Sequence, residues 1–130
     1  MLRLFIVLVL VAHGVGHSIG VAGGWGNNAW GGSDDSWLLT PVLGRTAGVL
    51  EGLIWLIPAI GFVAAGGALL SGLDVWRVLA LASSAVSLLA IGLYPQQLAS
   101  FSMVGAVLVD LAVVFSLTVL EWPSADAVGA

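Results

Sequence analysis

Cysteine is absent from all 130 residues, which removes disulfides, thiolate metal ligands and thiol catalysis together. Lysine is absent as well, and three arginines stand against seven acids for a net charge of −4. Nucleic-acid binding needs a basic face to neutralise phosphates, so no nucleic-acid partner is expected. Charged residues make up only 8% of the chain and apolar ones 60%, giving a mean hydropathy of +1.14. A soluble domain of this size carries a more charged surface. The GxxxxGK[ST] loop of a transport ATPase does not occur, and the one closely spaced histidine pair has no glutamate in the HExxH position of a metalloprotease. No serine or threonine has an evident base at a nucleophile spacing, so no catalytic residue is assigned.

What is present is a series of apolar runs of about 20 residues, the length that crosses the roughly 30 Å hydrocarbon layer of a bilayer as a helix. The pattern predicts an all-α integral membrane four-helix bundle, up-down-up-down, as a single transmembrane domain over 1–130. The spans are expected over about 4–21, 41–70, 75–93 and 100–120, with a polar outer loop at 22–40. The opening Met1-Leu2-Arg3 and the apolar run behind it share the layout of a signal peptide, but read here as the first span. Pro41 suits a first helical turn and Pro58 a kink. Trp25, Trp30 and Trp37 suit the outer headgroup layer together with Tyr94, and Trp76 and Trp122 the inner one. Arg3, the amino terminus and Arg77 fall on one side and Arg45 on the other, which by the positive-inside rule puts both termini of this multi-pass cell-membrane protein in the cytoplasm.

Both histidines lie inside the first run, in Val11-Ala12-His13-Gly14-Val15-Gly16-His17-Ser18-Ile19-Gly20. Four residues apart, His13 and His17 share a helix face. Titratable groups inside a bilayer are costly and point to function by default. Counting about 1.5 Å per residue, His13, His17, Glu51 of the second span and Asp110 of the fourth fall at overlapping depths, although nothing fixes the rotation of the fourth helix. Three readings compete for this cluster. Imidazole plus carboxylate is the ligand set of a transition-metal ion such as zinc, copper, iron or manganese. The same groups pass protons when burial brings their proton affinities together. Alternatively they only pin helix register, for example by a His17–Glu51 hydrogen bond. Haem fits poorly, since two histidines on one helix face cannot take both sides of a porphyrin.

Small residues at four-residue spacing form two stripes, Ala12, Gly16, Gly20 and Gly24 on the first helix and Gly44, Gly48 and Gly52 on the second. They predict close packing of the two helices. Ser83, Ser84 and Ser87 of the third helix can bond back to carbonyls of their own helix or reach across to a neighbouring one, and back-bonding is the expected role.

The string from His13 to Gly20 resembles an HGxxHxxG signature of small, uncharacterised four-helix membrane proteins of bacteria and archaea, and Gly52-Leu53-Ile54-Trp55 is similar to their second helix. The resemblance covers the first two spans and implies topology rather than an activity. The leading expectation is an accessory or redox-associated membrane subunit whose His13, His17, Glu51 and Asp110 bind a metal ion or relay protons. The alternatives are a small oligomeric transporter or channel subunit with Glu51 as coupling carboxyl, and a structural subunit of a larger membrane complex. The expected partners are the bilayer and either further copies of the chain or that complex.

Overall fold

The computed structural model describes residues 1–27 and 32–129, so Trp30 lies outside the described residues. Its elements are all helical: α1 (Leu2–Gly16), α2 (Ser18–Gly24), α3 (Thr40–Leu43), α4 (Thr46–Leu70), α5 (Trp76–Leu93), α6 (Ser100–Thr118) and α7 (Ala125–Val128). Four stretches, Leu2–Gly24, Thr46–Leu70, Trp76–Leu93 and Ser100–Thr118, are long and apolar enough to cross a membrane, and they form the expected four-helix bundle. α1 and α2 are one stretch broken only at His17, whose N–H turns back to the carbonyls of Gly14 and Val15. The second expected helix is shorter than its apolar pattern. Pro41 does sit in a first turn, but of α3, and Gly44 at φ +54° ends that turn before α4 begins.

α4 is the centre of the bundle. α1 and α2 pack along one side of it and α5 along another, while α6 packs along α5. The inner core gathers Leu10, Phe62, Leu69, Trp76 and Val128. Trp76, expected at a headgroup belt, is instead buried here, and the Arg77 guanidinium lies 4.9 Å from its ring centroid. Arg3 holds the same end shut: its Nε donates to Leu69 O at 2.9 Å and its other nitrogens to Leu70 O and Gly129 O. A cation on the last carbonyls of α4 opposes the negative end of that helix. The chain beyond the fourth span is not a simple tail, because α7 returns Val128 to the core.

Backbone proximity decides which glycines matter. A Cβ on Gly24 would stand 2.3 Å from Gly52 N, and one on Gly20 would stand 2.2 Å from the Trp55 ring. Gly48 and Gly52 face the same seam, so these four glycines pack in the close approach expected of them. Gly16 and Gly44 do not belong to it, since a Cβ on either meets nothing within 4 Å. Further in, Gly14 takes the place expected of Gly16, with a Cβ 2.9 Å from Ala59 O. Contact positions on this helix run 10, 14, 17, 20 and 24, a mixed three- and four-residue spacing that a strict four-residue stripe drifts away from.

Candidate functional site

α6 supplies the least expected feature of the bundle. Its inward stripe of Met103, Ala106, Val107, Val113 and Leu117 is only partly covered, and its single buried residue is Asp110. The rotation left open by the sequence is therefore settled, with the acid facing inward. Its Oδ1 lies 2.9 Å from His13 Nε2, and its Oδ2 accepts the Ser87 hydroxyl at 2.5 Å. Ser87 Oγ is in turn 2.7 Å from His17 Nε2, and His17 Nδ1 lies 2.8 Å from the carbonyl of His13. One chain of hydrogen bonds thus joins α1, α5 and α6. Aromatic rings close it off: the two imidazoles meet edge to face at 4.7 Å, Phe62 packs on both, and Trp55 stands 5.4 Å from His17.

Donors and acceptors fix where the protons belong. A carbonyl only accepts, so His17 Nδ1 carries hydrogen. The single hydroxyl proton of Ser87 serves one neighbour at a time. When it goes to Asp110, Ser87 Oγ accepts from a protonated Nε2, and the pair is imidazolium and carboxylate. When Asp110 holds the proton, it donates to Oγ, which donates to a bare Nε2, and the pair is neutral. Both arrangements satisfy every atom with the same heavy-atom positions.

The same residues could hold a metal ion. One ligand atom from each of His13, His17 and Asp110 falls within 4.8 Å of the others. A tetrahedral ion with bonds of about 2.0–2.1 Å sets its ligands roughly 3.4 Å apart, so the widest gap in the trio would close, the 2.9 Å His13–Asp110 contact would open, and the present hydrogen bonds would be given up. The His17 Nδ1 contact with a carbonyl is the kind of outer support that orients a ligating imidazole.

Glu51 is not part of this group. It is buried beside Gln97 and Ser33, where the Gln97 amide nitrogen lies 3.0 Å from both its Oε1 and Ser33 O, the orientation that sets donor against acceptor. Its Oε2 has no partner among the described residues. The His17–Glu51 bond weighed from the sequence is replaced by His17–Ser87. Ser87 takes the alternative role: expected to bond within α5, it reaches across to two other helices instead, and it was not counted among the site residues. Its signal was the repeat of hydroxyls at positions 83, 84 and 87 on one face of an apolar helix, of which Ser83 and Ser84 are also buried. Tyr94, expected at a membrane surface, is buried and donates to Ala47 O at 2.7 Å.

Set against protein-family models, curated proteins and solved structures, the chain matches none of them. Function is therefore argued from geometry.

Proposed function

We propose that this chain is an integral membrane protein whose His17–Ser87–Asp110–His13 chain is an intramembrane proton relay, serving a redox-associated or proton-coupled membrane complex. The observation that carries this reading is the Ser87 hydroxyl, 2.7 Å from an imidazole nitrogen and 2.5 Å from a carboxylate oxygen. Two protons shifting together across that oxygen interconvert the charged and neutral pairs with little heavy-atom motion. The route reaches neither end of the bundle, so it holds and hands over a proton rather than conducting one across. Imidazole ¹⁵N spectra of the protein in lipid nanodiscs test this. His17 Nε2 should give a shift averaged between its protonated and bare forms in the native chain and the shift of one fixed form in Ser87→Ala. The same Nε2 shift in the two proteins would defeat the relay.

A second reading is favoured by the spacing of the three ligand atoms: a transition-metal ion held by His13, His17 and Asp110. Metal and relay exclude each other, because the ion needs the nitrogen lone pairs that the hydrogen bonds occupy. Elemental analysis of protein purified without chelator separates them. One equivalent of metal, lost in His13→Ala and Asp110→Ala, establishes the metal site, and metal-free protein with an intact network establishes the relay as the better account.

A further inference from the structure

His13 is the member of the network that is not sealed. Its side chain keeps 10% exposure, and its Nδ1 makes no hydrogen bond among the described residues, while Nε2 is held by Asp110. The ring lines a cleft of about 340 Å³ between α1 and α6, with Gly16, Trp55, Ser102, Gly105 and Ala106 also on its walls. The cleft exists because α1 and α6 do not pack closely; each is held by the other helices. A Cβ at Gly16 or Gly105 would meet nothing within 4 Å, so glycine leaves both walls low at the level of the imidazole. The groove continues. Val109 is shared with a second hollow of about 280 Å³ towards the α7 end, lined by apolar residues such as Phe5, Val9 and Leu117.

Depth selects the occupant. His13 is eleven residues from either end of the Leu2–Gly24 stretch, about 17 Å of helix on each side. A phospholipid headgroup stays at the membrane surface, and an acyl chain offers nothing to a ring nitrogen. A slot with a polar end at mid-bilayer and an apolar extension suits an uncharged molecule with a flat, hydrogen-bonding head and a hydrocarbon tail. We infer that the α1–α6 cleft binds a lipid-soluble quinone or its quinol, with the ring head between Gly16 and Gly105, one oxygen on His13 Nδ1 and the tail along Val109. That oxygen accepts as a carbonyl and donates as a hydroxyl, which matches a ring nitrogen able to do either. The inference rests on the relay reading for its biological sense, while the binding itself needs only the cleft and His13.

The test is titration of the full chain, in phosphatidylcholine nanodiscs, with a short-tailed benzoquinone such as decylubiquinone, followed by the imidazole ¹⁵N shifts of His13. Saturable binding that moves the His13 Nδ1 resonance is expected, with Kd raised roughly tenfold or more in Gly16→Leu and in Gly105→Leu. The two variants fill opposite walls, and each is checked for native helicity and an unchanged His17 Nε2 shift. Should one wall variant fail that check, the other decides, and His13→Phe supplies a third readout by removing the ring nitrogens. A response that does not saturate, or that is equal in native and wall-filled proteins, overturns the inference. So does copurified phospholipid that holds the cleft against the quinone. Because the wall variants leave Ser87 and Asp110 untouched, a native chain that shows the averaged His17 Nε2 shift but no saturable binding fails the quinone alone, and saturable binding without the averaged shift fails the relay alone.

Discussion

Asp110 illustrates how a single buried acid can organise an apolar helix. Truncating it to alanine leaves His13 Nε2 and the Ser87 hydroxyl without their acceptor, and a buried polar group so stranded costs about 1–3 kcal/mol. Asp110→Ala should therefore lower stability by at least that amount in denaturation of the detergent-solubilised protein. Asp110→Asn keeps one acceptor oxygen and should lose roughly half as much. Equal stability of all three proteins would mean the network holds nothing together. Tyr94, the only tyrosine, offers a second check outside the spans. Burial pushes its phenol above the ordinary range, with the Glu51 charge acting the same way. A group with a raised folded value contributes stability below its unfolded pKa of about 10, which is lost as pH climbs through the folded value. Tyrosinate absorbance should consequently appear at higher pH in the native protein than in denaturant, and in Tyr94→Phe that alkaline loss of stability should disappear.

Between elements, the α2–α4 seam and the α1–α6 cleft use glycine for opposite ends. At the seam there is no room, since a methyl on Gly24 would meet the backbone of Gly52 at 2.3 Å, and backbone cannot swing aside. Overpacking of this kind costs about 1–3 kcal/mol. At the cleft a methyl on Gly16 meets nothing within 4 Å, and alanine is the better helix former by up to about 1 kcal/mol. Gly24→Ala should thus lower the unfolding midpoint, whereas Gly16→Ala should leave it unchanged or raise it. The reverse order would show that Gly16, and not Gly24, stands at the close approach of the helices. α6 has its own vulnerability. Its outward residues Phe101, Val104, Leu108, Leu111 and Phe115 are exposed, and packing on α5 with the Asp110 contacts is what retains it.

For the molecule as a whole, the ends of the bundle differ in construction. One end is closed by Arg3 on the carbonyls of α4 and by Arg77 donating to Pro123 O at 2.5 Å, so two of the three arginines serve as structural ties. At the other end Gln97 seats against Glu51, Trp25 lies over Gly52 and Trp37 Nε1 donates to Gly92 O at 2.8 Å. Because the chain has no cysteine, single-cysteine variants report on topology without background. A membrane-impermeant maleimide applied to intact cells should label Asp35→Cys and spare Ser124→Cys. Labelling of the second alone would invert the orientation inferred from the arginines.

Composition and run length alone dictated that this chain would be four apolar helices, because a segment so poor in charge has few other ways to satisfy its backbone. Sequence also placed both histidines and Asp110 at a common level, since helical rise converts residue number into depth. What it left open was angle. Whether Asp110 turned inward, whether Ser87 bonded within its own helix or across to two others, and whether Gly14 or Gly16 met α4 all depend on rotation about helix axes. A helix apolar on every side carries almost no periodic signal for rotation. Only the packed bundle decided it, and by seating Gln97 against Glu51 it also separated one of the two acids that depth had placed with the histidines.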